Sequence, residues 1–103
     1  MEMKAKLMQL DGLTLMANAN TNHWVAMDAP ENLGGNGAGS RPMELILMGI
    51  TGCAAMDVIA ILKKKRIKVS GFSVDADAIR ADEHPQVFKK ITLNYKIEGK
   101  DIQ

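Results

Sequence analysis

Residues 49–66, GITGCAAMDVIAILKKKR, decide the fold, because they continue an apolar run too long for a strand. Between Leu45 and Leu62 the only charged residue is Asp57. Ser40 supplies a helix cap upstream, and Pro42 sits near the first helical position, where its missing N–H costs nothing. The spacing predicts one helix over residues 42–66, about 37 Å long at about 1.5 Å per residue. A helix apolar on every face is either enclosed by protein or spans a membrane. The run Lys63-Lys64-Lys65-Arg66 is compatible with both, as a cytoplasmic flank or as a solvated helix end matched to the macrodipole. Asp57 inside the run and the strand-rich remainder favour a soluble helix, covered by its own sheet and by a partner subunit, with no membrane involved.

Working outward, Asp11-Gly12 separates the apolar-rich runs 5–10 and 13–17 and predicts a tight hairpin turn. A short third strand over 23–27 follows, ended by Asp28-Ala29-Pro30. Residues 30–40, PENLGGNGAGS, have loop composition and predict a flexible crossover to the helix. The glycine spacing fits neither the P-loop nor the dinucleotide pattern, which argues against a phosphate cradle. Beyond the helix, residues 69–81 alternate so that Phe72, Val74, Ala76 and Ala78 share a covered face. A turn over 82–85 leads to a strand over 87–97, with Val87, Lys89, Ile91, Leu93, Tyr95 and Ile97 on one face, and residues 98–100 turn again. The order β-β-β-α-β-β predicts an α+β domain in which an antiparallel sheet wraps one long buried central helix.

With 103 residues, 47% of them hydrophobic, the chain has material for one core and a single domain, 1–103. A formal net charge of +1 gives no global argument for nucleic acid. Lys4 and Lys6 ahead of an apolar stretch resemble a signal peptide, but Asp11-Gly12 interrupts it and favours the hairpin. One cysteine builds no disulfide framework and predicts a cytoplasmic protein with a reduced thiol. Eight methionines suit gap filling in the core or an adaptable apolar pocket. His23, His84 and Cys53 lack paired ligand spacing, so neither a metal nor a bound cofactor is expected.

Cys53 is the residue with chemistry to offer. A thiolate is the reactive form, and a helix amino terminus stabilises one only within its first turn, whereas Cys53 lies about three turns in. Asp57, four residues on, adds a like charge that opposes thiolate formation. Glu44 is nine residues back, on the opposite face and roughly 13 Å along a straight helix. A partner subunit or a bent helix start would have to complete the site. From local chemistry both a reactive thiol and an inert, packed one are open.

Several motifs together resemble the osmotically inducible protein and organic hydroperoxide resistance family, OsmC/Ohr, in its OsmC-like branch. They are Met27-Asp28-Ala29, the glycine loop, Arg41-Pro42-Met43-Glu44-Leu45, Gly52-Cys53 with Met56-Asp57-Val58, and Glu83-His84-Pro85 with Phe88 and Ile91. The resemblance covers residues 24–99 and corresponds to the family's amino-terminal part, without its C-terminal helix. It implies an intertwined homodimer and a thiol peroxidase that reduces small organic hydroperoxides. Cys53 is then the nucleophile, oxidised to a sulfenic acid that a second thiol resolves. Glu44 is carried over with Cys53 as a catalytic residue, one position later after the proline than the family pattern. The family's early arginine has no counterpart among residues 1–40. With a single cysteine, turnover calls for an external thiol reductant. The alternative is a non-catalytic dimer of the same fold that binds a small ligand or serves a structural role.

Overall fold

The computed structural model describes residues 2–82 and 87–99. The elements are β1 (Ala5–Asp11), β2 (Thr14–Ala19), β3 (Val25–Met27), a 3-10 turn (Glu31–Leu33), α1 (Pro42–Lys64), β4 (Val69–Arg80) and β5 (Phe88–Gly99). This is the α+β class and the strand order read from the sequence. The strands form two antiparallel sheets, β1-β2-β3 and β4-β5, in place of the single sheet expected. The outer edge of β3 is closed to a further strand. Met27 pairs with Leu15 on one side and bridges Ser40 on the other, so the chain's own loop occupies that edge. Ser40 is therefore an edge partner and not the helix cap. The turn expected over 82–85 falls largely on residues 83–86, outside the described residues.

The chain divides into two compact units, residues 1–46 and 47–103. In the first, the hairpin loop is Gly12-Leu13, one residue later than expected. Asp11 still pairs with Thr14, and Gly12 takes φ 56 at the first central position, where type II′ hairpins place glycine. In the second, β4 and β5 pair from Val69 and Gly99 to Arg80 and Phe88. Phe72, Val74, Ala76 and Ala78 are half-buried, as the alternation predicts. An irregularity at Ile79/Arg80 skips Lys89 and brings Phe88 onto the half-buried face, leaving Val87 exposed.

Helix α1 starts and stops by identifiable chemistry. Arg41 is the residue before the first turn, its carbonyl accepting from Leu45 N–H at 3.1 Å. Its own N–H donates to Glu44 Oε1 at 2.8 Å, the reciprocal half of a capping box. At the other end Ile67 N–H donates to the Leu62 carbonyl and Arg66 N–H to the Lys63 carbonyl, which is a Schellman closure. Arg66 holds φ 58 at the position usually given to glycine. The helix thus ends at Lys64, two residues before the expected boundary. Relieving a left-handed L-residue returns about 1–2 kcal/mol and glycine's extra chain entropy takes back about 0.5–1. Arg66→Gly is expected to stabilise the chain by about 0.5–1 kcal/mol, read by thermal denaturation.

The buried central helix is corrected at the level of the single chain. No residue of α1 is buried, and among the described residues no apolar side chain is; the two buried residues are Thr14 and Asp28. Leu47, Thr51, Ala55 and Leu62 are half-buried along one stripe, and the first three line a cavity of about 480 Å³ with Phe72, Val74 and Ala76. Ile46, Ile50, Met56, Ile59 and Ile61 remain exposed. By length and composition alone α1 is also long and apolar enough to cross a membrane.

Candidate functional site

The most tightly bonded group in the amino-terminal unit is the Asp28 carboxylate. Thr14 Oγ1 donates to Oδ2 at 2.6 Å, and the backbone N–H groups of Ala29, Asn36 and Ala38 donate at 2.7, 3.2 and 3.0 Å. Asn36 Nδ2 in turn donates to Thr14 Oγ1 at 2.6 Å. The glycine loop read as a flexible crossover is wrapped around this side chain. Its amides do cradle an anion, and the anion is the protein's own. Gly35 lies so close to the Ala29 carbonyl and to Asp28 that a Cβ there would overlap them. In the sequence Asp28 reads as a strand end. The only signal in the sequence was its place directly ahead of a loop rich in unpaired amides.

The Thr14 hydroxyl, followed by the loop amides, holds the Asp28 carboxyl down at about 2 from an ordinary 3.8, against the opposing effect of burial. A carboxyl whose folded value is depressed stabilises the fold fully above its unfolded value and loses that contribution as pH falls. Stability from Asp28 should therefore be intact above about pH 5 and fade between 3.8 and about 2. Urea midpoints at pH 6 and pH 2.5 measure this, and Asp28→Asn should flatten that part of the profile while lowering stability at pH 6.

Cys53 lies in the middle of α1 and is exposed. It stands on the side of the helix turned away from the half-buried stripe of Leu47, Thr51, Ala55 and Leu62, so its own strands do not cover it. Gly49, Ile50, Met56, Asp57 and Ala60 share that side by helical spacing, and all are exposed. Two residues before Cys53, Thr51 Oγ1 donates to the Leu47 carbonyl at 2.7 Å, so its hydroxyl is spent on the backbone. Among the described residues no hydrogen bond or ion pair reaches the side chain of Cys53 or Asp57. Asp57, inside the run read as an enclosed helix, is exposed, on the side turned away from the half-buried stripe.

Glu44 is engaged at the start of α1, where Oε1 accepts from Arg41 N–H and lies 3.8 Å from Arg41 Nη1. No bond joins it to Cys53. His23 is exposed and shares a 3.2 Å hydrogen bond with Thr21 Oγ1, while His84 lies outside the described residues. No group of three metal-ligating side chains occurs among the described residues. What the site offers chemically is one accessible sulfur, flanked by glycine and alanine, on a helix face that is apolar apart from Asp57.

Known proteins share this fold. The OsmC-like protein family model matches residues 34–103. The chain is 35% identical over 101 residues to protein YhfA of Escherichia coli K12, spanning 98% of this chain and 72% of that protein. YhfA of Shigella flexneri matches to the same extent. A structural-genomics structure superposes with a TM-score of 0.82 at 29% identity, covering 97% of this chain and 71% of its own. A structure described as an osmotic stress induced and detoxification response protein from Psychrobacter arcticus 273-4 superposes at 0.79 with 16% identity, covering 93% and 70%, and shares the fold. The chain belongs to the OsmC-like protein family.

Proposed function

We propose that this chain is a cytoplasmic, homodimeric thiol peroxidase that reduces organic hydroperoxides at Cys53. The observation that carries the reading is the position of the sulfur: accessible, at mid-helix, on an apolar face that its own strands leave open. The thiolate takes the terminal oxygen of the hydroperoxide, the O–O bond breaks, and the organic fragment leaves as an alcohol once protonated. Sulfur gives up two electrons and becomes a sulfenic acid. An external dithiol then attacks that sulfur, water leaves, and its second thiol releases Cys53 as a thiolate. The apolar surroundings favour an alkyl or aryl group on the peroxide. About two buried methylenes are worth a factor of about ten in binding. Cys53 should accordingly be oxidised at least about tenfold faster by cumene hydroperoxide than by hydrogen peroxide, measured as loss of free thiol under equal excess. Equal rates would contradict the substrate class.

The second copy is expected on the Cys53 face of α1, where a soluble chain otherwise leaves a contiguous apolar surface exposed. It is also the source of whatever charge activates the sulfur, since the described residues bring none to it. Met56 is 72% exposed, so Met56→Lys should leave the fold of one chain intact and convert a dimer at micromolar concentration into a monomer. Sedimentation velocity checks this, and a monodisperse wild-type monomer would contradict the assembly. A second reading, a non-catalytic ligand-binding or structural dimer, is favoured by one observation: Glu44 is already spent capping its own helix.

A further inference from the structure

At the carboxyl end of α1, on the side facing the start of β4, an open cavity of about 470 Å³ has an apolar floor and a basic rim. Ile59, Leu62, Ile67, Val69 and Phe72 supply the floor. Lys63, Arg66 and Lys68 supply the rim, and no acidic residue lines it. These three belong to a run in which five of the six residues 63–68 are cationic. None of the five makes an ion pair among the described residues. The nearest acid on the paired strand, Glu98, is taken by Lys96 at 3.4 Å. The helix carboxyl end contributes about half a negative charge, and its carbonyls at Ile61, Leu62 and Lys63 already accept amide hydrogens. Three full cations outweigh it.

From this charge complementarity we infer that the cavity binds a monomeric amphipathic carboxylate, with an alkyl chain over Leu62, Ile67 and Phe72 and the carboxylate on the Arg66 guanidinium. Arg66 is the specific anchor, because a guanidinium pairs with both carboxylate oxygens in one plane, which a lysine ammonium does not. The chain keeps it there in a left-handed conformation that glycine would hold with less strain. The volume lies within the range of small-molecule sites. Cys53 is not among the lining residues, so the inference stands apart from the peroxidase reading.

The test uses decanoate below its micelle concentration, titrated calorimetrically into the full chain in its native assembly. One decanoate per chain is expected, with affinity falling as salt rises. Decyltrimethylammonium, with the same tail and the opposite charge, should bind at least about tenfold more weakly. Arg66→Gly keeps the backbone conformation of the helix end and removes the guanidinium. It should weaken decanoate binding at least about tenfold with the melting temperature unchanged or raised. Equal affinity in Arg66→Gly, equal binding of the cation, or no binding by the wild type would overturn the proposal. So would recruitment to phosphatidylglycerol vesicles with no binding of monomeric decanoate.

Discussion

Cys53→Ser is expected to abolish consumption of organic hydroperoxide, leaving only the uncatalysed background. Serine keeps nearly the same volume at a position exposed in the single chain, so folding of the chain should be unaffected, and sedimentation velocity reads whether the assembly is kept. A hydroxyl does not reach the thiolate's nucleophilicity at neutral pH without a strong adjacent base, and no described residue of this chain supplies one. The loss is therefore assignable to the sulfur. In the wild type, peroxide consumption should stop after about one equivalent per subunit, because one thiolate supplies one two-electron reduction and the chain has no second cysteine. An added dithiol should restore turnover. Unchanged consumption in the serine variant would remove Cys53 from the chemistry.

Gly35→Ala should be the most damaging single methyl addition in the chain. The new Cβ would overlap the Ala29 carbonyl and stand 2.6 Å from Asp28 Oδ1, and none of these atoms belongs to a flexible chain end. The backbone has to retreat, and the amides of Asn36 and Ala38 retreat with it from the carboxylate they satisfy. Overpacking costs about 1–3 kcal/mol, and a buried charge stripped of its donors adds more, against a total stability of about 5–15 kcal/mol. The expected result is a melting temperature lowered by more than about 10 °C, or no folded protein. Gly52→Ala is the control, since its Cβ meets nothing within 4 Å inside the chain.

The contrast between these two glycines shows what was legible in the sequence. The hairpin at Asp11-Gly12 and the strand alternation around Phe72 and Ile91 are local signals, with turn chemistry and side-chain period visible within a few residues. The helix announced itself through Pro42 and an 18-residue apolar run, whereas Ser40, read as its cap, is an edge partner of β3. Its end did not, because Arg66 occupies the left-handed position where glycine is the usual mark. The role of Asp28 stayed hidden for a different reason. Its partners Thr14, Asn36 and Ala38 lie 8 to 14 residues away and meet it only once β2, β3 and the loop are in place. The lone thiol was conspicuous, yet its exposure was not predictable from α1. A helix apolar on every side carries no amphipathic pattern to say which face its own sheet covers.

Mass spectrometry of the Cys53 peptide, after brief exposure of the native protein to one equivalent of cumene hydroperoxide, tests the central claim most directly. The account predicts a sulfenic acid on Cys53 in most chains, read as one added oxygen without trapping and, with dimedone, as a thioether adduct from which that oxygen has left as water, with cumyl alcohol formed in equal amount. An unmodified Cys53 alongside intact hydroperoxide would contradict it.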